Sequence, residues 1–352
     1  MPDPRPTPAT GPAPGTGPAP GTGPAPAPVT GPAPGTAAAP APVTGPAPGT
    51  GPAPAAAPAP VTGTEPGTGP THATATSTAT APGAAPASRP GGFFTRAAPG
   101  RPGLALFLNA GDPPLDRLPD LVALLDESDI DCLELAVPFP GSVTDGPVIR
   151  RSADRALAHG TDLAAVLAAV ARVRPGLKRL RIALLADFSH TVKGTAPGDF
   201  AAAVRDAGCD GLLLHGVPPR LRTAHYEAAH DAGLPLVTTC YAVSRPDAVA
   251  EAAAQATAYL YLVAHYGRSG TAAALDHDRL ARSVAALRAT ATAPVAVGFG
   301  VRTRADTLLL QDLGADAAVV GSVGVARIEQ ALTEGRDPVE EFGSFVRELR
   351  GP

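Results

Sequence analysis

Tryptophan is absent from this chain, methionine occurs once, and only 4% of the residues are aromatic. Lysine is nearly absent too: Lys178 and Lys193 are the only two among 352 residues, while arginine is abundant. Cysteine is confined to Cys132, Cys209 and Cys240, far apart and each in or beside a predicted strand. That spacing excludes a disulfide framework and a cysteine-based metal site, and it suits small reduced residues in a core. No apolar stretch follows Met1 as in a signal peptide, and no apolar run is long enough to span a bilayer. The chain therefore reads as cytoplasmic, with no membrane partner. A net charge of −4 with both signs interspersed offers no basic patch, so nucleic acid is not an expected partner.

What is abundant comes first in the chain. Residues 1–91 are built from TGPAPGT, APAPVT and related units, with almost no large apolar side chain. Such a tract cannot bury enough surface to offset the entropy of ordering it, and a disordered Pro/Ala/Gly/Thr-rich tail is expected. Its units are too short and too polar to stack as solenoid layers. Residues 92–352 are expected to form the catalytic domain.

In that second region short apolar runs alternate with Ala-rich amphipathic stretches, the signature of strands and helices around a parallel sheet. Strands are predicted at Leu104–Asn109, Cys132–Ala136, Arg181–Ala186, Gly211–His215, Pro235–Cys240, Tyr259–Ala264, Pro294–Gly298 and Ala317–Val320. Helices are predicted near Leu118–Asp126, Asp162–Val173, Asp199–Ala207, Arg220–Ala232, Pro246–Ala254, Asp278–Leu287, Arg304–Leu313, Val325–Leu332 and Val339–Arg350. Several strands lack polar alternation, as strands covered on both faces should. Eight strands in about 260 residues predict the α/β class and a (β/α)₈ TIM barrel. An open doubly wound sheet is the competing architecture. It is weakened by the first βα turn, Asn109–Pro114, which carries no GxGxxG fingerprint.

Loops at the C-terminal ends of the strands build the active site of such a barrel. Two of them are glycine-rich: VGFGVRT (297–303) after the seventh strand and VVGSVGVA (319–326) after the eighth. Glycine lets an anion approach backbone N–H groups, and a helix N-terminus favours negative charge. Each stretch alone is an ordinary tight turn; as a pair, at these two strands, they predict phosphate binding, with Gly270 closing over the same group. The third informative stretch is LELAVPFPGSVTDGP (133–147). Glu134 stands among apolar residues near the end of the second strand, where poor solvation raises a carboxyl pKa toward neutrality. Asp145 follows in a loop shaped by proline and glycine, and two carboxylates in unlike surroundings can divide the roles of acid and base. The plain alternative pairs Glu134 with a structural cation and makes Asp145 the cap of a helix begun by Pro147.

The segments FLNAGDP (107–113), LELAVPF…DGPVI (133–149), YLYLVAHYGRSG (259–270), PVAVGFGV (294–301) and VVGS (319–322) resemble the tryptophan synthase α subunit family. They stand in the right order at the right strands, over nearly all of the chain from about residue 92. The resemblance implies a (β/α)₈ barrel that cleaves indole-3-glycerol phosphate to indole and glyceraldehyde 3-phosphate, with no cofactor and no metal. It implies a β subunit as partner, in an α₂β₂ assembly. By the same resemblance Glu134 is the general acid–base and Asp145 hydrogen-bonds the indole N–H. Gly270, Gly300, Gly321 and Ser322 match the phosphate-binding positions, and Tyr261 the aromatic position beside the catalytic glutamate. Ser269 stands where a lid threonine closes onto the aspartate. Phe107–Leu108, Ile149 and Leu185 would supply the apolar wall. The scarcity of lysine agrees, because a Schiff-base retro-aldol needs a lysine inside the barrel. Lys178 precedes the third predicted strand and Lys193 lies beyond it.

The chain also departs from that family. Pro140, Gly141 and Ser142 replace the usual Ser-Asp-Pro; His215, Gly216, Val217 and Pro218 replace Pro-Asp-Leu-Pro. Ala186, Asp187, Phe188, Ser189 and His190 replace the Tyr-x-Asn-Pro loop, and Ala264 with His265, Tyr266 and Arg268 stands where a serine is usual. These loops serve lid closure and communication with the β subunit. A stand-alone indole-releasing lyase, a lyase for a substituted substrate, and a non-catalytic phosphate-binding barrel that regulates a β-type partner therefore stay open. His190, His215 and His265 fall at the ends of the third, fourth and sixth strands. Converging, they could hold a metal; otherwise they are unconnected rim residues.

Overall fold

Eight parallel strands close into a barrel in sequence order. They are β1 (Gly103–Asn109), β2 (Cys132–Ala136), β3 (Arg181–Asp187), β4 (Gly211–His215), β5 (Leu236–Tyr241), β6 (Tyr259–Val263), β7 (Val295–Gly298) and β8 (Ala317–Val320). The computed structural model describes residues 92–351 apart from 96, 243, 265–276 and 299. Around the strands lie α1 (Leu118–Glu127), α2 (Pro147–Ala158), α3 (Leu163–Val173), α4 (Pro197–Asp206), α5 (Pro219–Asp231), α6 (Pro246–Gln255), α7 (His277–Arg288), α8 (Arg304–Asp312), α9 (Ser322–Thr333) and α10 (Pro338–Arg350). No single helix among the described residues is long and apolar enough to cross a membrane.

The barrel and all eight predicted strands are present, which removes the open-sheet alternative. Many helices start where the sequence puts a proline. Its fixed φ suits the first turn, and its missing N–H is one the helix cannot use there. The α2 helix was foreseen only as a helix begun by Pro147 and not among the periodic segments: Arg150, Arg151, Asp154 and Arg155 crowd its sequence and hide the apolar face of Ile149, Ala153 and Ala156. The α9 helix begins three residues earlier than predicted, at Ser322, because Gly324 lies inside it beneath the Phe342 and Phe345 rings of α10. Phe188–Val192 form a π-helical turn that apolar periodicity gave no reason to expect.

At the N-terminal end of the barrel one local device recurs. An aspartate immediately precedes β2, β4 and β8, and its carboxylate accepts the N–H at or near the start of a neighbouring strand. Asp131 takes Leu104 N–H at 2.9 Å, Asp210 takes Ile182 N–H at 2.9 Å and Asp316 takes Val295 N–H at 2.8 Å. Each also holds an arginine: Arg350 at Asp131, Arg174 and Arg181 at Asp210, Arg288 at Asp316. Backbone donors that have no strand partner are thereby satisfied, and the register is pinned at the end remote from the site.

Two apolar layers result from the period of two along each strand. Leu104, Leu106, Leu108, Leu133, Leu135, Ile182 and Leu184 face the helices. The barrel interior holds small residues, Ala105, Cys132, Ala183, Ala296 and Ala317, around the large ring of Tyr259. Phe93 and Phe94, from the segment before β1, close the floor: their rings meet Tyr259 edge-on at centroid distances of 5.4 and 5.1 Å. All three cysteines are free and buried, and burial pushes the Cys209 thiol up to about 12 and Cys240 to about 11, so they are unreactive core residues.

Candidate active site

Glu134 points into the barrel because its strand neighbours on both sides, Leu133 and Leu135, point to the helices. It pairs in register with Phe107 of β1 and Ala183 of β3. The carboxyl is 2% exposed, and its hydrogen-bond partner is a phenol: the Tyr259 hydroxyl donates to Oε1 at 2.6 Å. Burial pushes the Glu134 pKa up to about 7, while the Tyr259 hydrogen bond pulls the other way. A phenol as its partner leaves the structural-cation alternative without support, and a carboxyl poised near neutrality is suited to proton shuttling. Tyr259 is a site residue that sequence reasoning missed; the signal was its place two residues before Tyr261 on one strand face. Replacing it by Phe removes a bond that stabilises the carboxylate, so the Tyr259→Phe variant is expected to shift the Glu134-dependent limb of the pH–rate profile to higher pH. A profile superimposable on wild type would show that the phenol does not tune the acid.

Above Glu134 opens a cavity of about 140 Å³. Asp145 shares it with Glu134, and Phe107, Ile149, Leu185 and Tyr261 form its wall. At the far side Gly300, Val301, Val319, Gly321 and Ser322 complete it. Nine of the site residues chosen from sequence therefore come together: Glu134, Asp145, Phe107, Ile149, Leu185, Tyr261, Gly300, Gly321 and Ser322. Leu108 does not: alternation turns it into the helix layer, 1% exposed, and Phe107 takes its place on the wall. Ser269 and Gly270 lie outside the described residues. Asp145 is not the N-cap of α2; Gly146 holds that position. Neither lysine lines the cavity. A larger hollow of about 650 Å³ lies on the outer flank, lined from α1, α3 and the segment leading to β3, and contains neither Glu134 nor Asp145.

The glycine-rich end has the features an anion needs. Gly300 adopts φ +80°, a conformation L-residues rarely take, and Ser322 opens α9, whose first-turn N–H groups have no intrahelical acceptors. The position of this helix is tied to the Asp145 side of the cavity. From α2, Arg155 forks onto Asp112 at 2.9 and 2.7 Å and reaches Glu329 of α9 at 2.7 Å. Arg151 forks onto the same Glu329 at 2.8 and 2.7 Å. Asn109 at the end of β1 adds bonds to the Ile149 carbonyl and the Ser152 hydroxyl, both at 3.1 Å. Hydrogen bonds from Arg151 outweigh burial at Glu329 and, with those from Arg155, hold its carboxyl down to about 2. Because Asp112 is 2% exposed, Arg155→Met leaves a buried carboxylate without its cation. The variant is expected to lose about 3 kcal/mol of stability, measured by urea unfolding; a loss under about 0.5 kcal/mol, the ordinary surface value, would show that the network is ornamental.

Two of the three rim histidines do converge. His190 and His215 both bond Asp187 through Nδ1, at 2.8 and 3.0 Å, and Phe139 stacks over both rings. His265 lies outside the described residues. No group of three or more His, Cys, Asp or Glu among the described residues is arranged to hold a metal.

Comparison with known proteins agrees with this geometry along almost the whole folded region. The family model for the tryptophan synthase alpha chain matches residues 93–351. The chain belongs to the tryptophan synthase alpha chain family. The tryptophan synthase alpha chain of Burkholderia mallei (strain NCTC 10229) is 37% identical over 258 residues, which cover 73% of this chain and 93% of that protein. That of Paraburkholderia phymatum is 33% identical over the same length. Among solved structures, the alpha subunit from Legionella pneumophila superposes with a TM-score of 0.64 at 26% identity, covering 71% of this chain and 92% of its own. The Pyrococcus furiosus subunit gives a TM-score of 0.63 at 28% identity, covering 70% and 97%. Tryptophan synthase alpha chains are carbon–carbon lyases that cleave indole-3-glycerol phosphate, and this chain is a lyase of that type.

Proposed function

We propose that this chain cleaves indole-3-glycerol phosphate by acid–base catalysis between Glu134 and Asp145, with the phosphate held at Gly300, Gly321 and Ser322. The observation that carries this reading is a buried carboxyl with a pKa near 7 sharing one small cavity with a second carboxylate and a helix N-terminus. Protonation of indole C3 by Glu134 makes an indoleninium cation, which Asp145 stabilises through the ring N–H. The Glu134 carboxylate so formed then takes the proton of the glycerol hydroxyl on the carbon attached to C3. The bond from that carbon to C3 breaks, its electron pair returns to the ring, and the carbinol becomes the aldehyde of glyceraldehyde 3-phosphate. The proton lost by Glu134 in the first step is regained in the second, so the acid is restored. Phe107, Ile149, Leu185 and Tyr261 exclude water around the indole.

Family membership supports a β-type subunit as the partner that receives indole, and a cytoplasmic setting. The test is indole release by the purified chain, with and without an added tryptophan synthase β subunit, beside Asp145→Asn. A drop of about 10²-fold or more in Asp145→Asn is expected, the scale for one electrostatic stabiliser of a transition state. A folded wild type that releases no indole under either condition overturns the reading.

A further inference from the structure

The barrel order places β3 and β4 half-way round the ring from β7 and β8. A ligand anchored by phosphate at Gly300, Gly321 and Ser322 and reaching across the cavity past Glu134 therefore arrives with its far end at β3 and β4. Leu185 of β3 lines the cavity there, and Leu213, its partner in register on β4, belongs to the same interior cluster. Two residues further along these strands, on the same inward faces, stand Asp187 and His215, again partners in register. The rim above the apolar wall is thus a carboxylate with two imidazoles, not a continuation of the wall.

The protonation pattern of this cluster follows from its bonds. Asp187 is nearly buried; burial works to raise its pKa, but the hydrogen bonds from His190 and His215 outweigh that and hold the carboxyl below its ordinary value. An ionised carboxylate only accepts, so each Nδ1 carries a hydrogen and donates. Nε2 of each ring is then the nitrogen left to meet a ligand. The His190 and His215 side chains are 45% and 35% exposed, and the Phe139 ring lies over both at centroid distances of 5.2 and 6.3 Å, with interplanar angles of 22° and 25°. The His190 N–H, also bonded to Asp187 at 3.0 Å, fixes the π-helical turn that carries the ring. Both imidazoles are therefore held in one orientation by carboxylate, backbone and aromatic ring, with Nε2 of each left over.

We propose that His190 and His215 are specificity-determining residues that hydrogen-bond, through Nε2, a hydroxyl on the benzo ring of the substrate's indole, the end remote from the phosphate. The inference rests on the proposed function and narrows its substrate class to ring-hydroxylated indole-3-glycerol phosphates. A bare benzo ring leaves these nitrogens facing C–H groups, whereas a hydroxyl, which both donates and accepts, satisfies one of them. Sites built to bond a substrate hydroxyl reject the analogue lacking it; here water reaches the half-exposed rings and softens the penalty, so the expected preference is about ten- to hundredfold.

The experiment compares kcat/KM of the full chain for indole-3-glycerol phosphate and for analogues hydroxylated at each benzo carbon in turn. It uses wild type, His215→Leu and His190→Leu. At least one hydroxylated analogue should be preferred about tenfold or more by wild type, and the ratio should fall toward one in either variant. Equal or better use of the plain substrate by wild type overturns the inference while leaving the proposed function standing. Cleavage of none of the substrates by folded wild type overturns both. Should His215→Leu fail to fold, the half-exposed His190→Leu carries the comparison. Equilibrium dialysis of indole against the hydroxyindoles with wild type reads the same preference without turnover; no difference there, with no kinetic preference, is a second refutation.

Discussion

Glu134→Gln is expected to lower kcat by about 10²- to 10⁴-fold, the usual contribution of a positioned general acid–base, and at the same time to make the protein more stable in mild alkali. Both effects have one origin. The folded state holds the Glu134 proton up to about pH 7, whereas the unfolded chain releases it near the ordinary glutamate value of 4.5. For an acid whose folded pKa is raised, stability is greatest below the unfolded pKa and declines as pH rises through the folded one. The full displacement amounts to about 3 kcal/mol by linkage. Glutamine keeps the shape and can still accept from the Tyr259 hydroxyl, but it has no charge to bury. The stabilisation of Glu134→Gln relative to wild type should therefore be about 2–3 kcal/mol larger at pH 8 than at pH 5. Urea unfolding at the two pH values reads this directly. A difference that does not change with pH would mean that the carboxyl is solvated and its pKa ordinary, and the catalytic role would lose its physical basis.

Gly298→Ala is expected to produce the second large effect, at a residue that holds no proton and contacts no phosphate. A Cβ at position 298 would lie 2.6 Å from the Tyr261 hydroxyl oxygen, 2.8 Å from its ring and 2.9 Å from Val319 Cβ. The neighbouring strand cannot retreat, because β7 pairs with both β6 and β8 through the same stretch. Tyr261 must move instead, and it forms the cavity wall beside Glu134. A displacement of about 1 Å near a reacting centre costs about 10²-fold in rate, and overpacking costs about 1–3 kcal/mol in stability. The kinetic loss should appear in kcat/KM for the whole substrate, while inorganic phosphate should still compete as in wild type, because the proposed phosphate contacts at Gly321 and Ser322 are untouched. Wild-type kinetics in Gly298→Ala would show that the Tyr261 position is irrelevant to turnover.

The barrel, its strands and the pairing of Glu134 with Asp145 were legible in sequence because they depend on local signals. Short apolar runs, a carboxylate inside one of them and glycines at two strand ends need no knowledge of the third dimension. Leu108 was misplaced next to the correct Phe107 because alternation fixes which residues share a face but not which face looks inward. Tyr259 escaped notice for a related reason. A tyrosine in an apolar strand reads as core, and its partner lies 125 residues away in sequence. The Asp187 cluster shows the same limit: three rim residues were visible as types, while the carboxylate joining two of them appears only when β3 and β4 are set side by side. The α2 helix, marked in sequence only by Pro147, gave no periodic signal because the charges that mask its amphipathic pattern are the ones its arginines carry to Asp112 and Glu329.

The aromatic floor of the barrel carries a lesson for anyone reshaping this protein. Phe93 and Phe94 precede the first strand, so the repeating strand–helix plan does not itself seal the chamber beneath Tyr259; two side chains from a leader segment do. Engineers trimming the proline-rich extension have a hard stop at Gly92. A cut beyond Phe94 would keep every strand, helix and catalytic group, yet admit solvent from below and reset the acid strength of Glu134. The same two positions offer a dial: graded replacements there would alter the working pH of the enzyme without touching its reaction chamber.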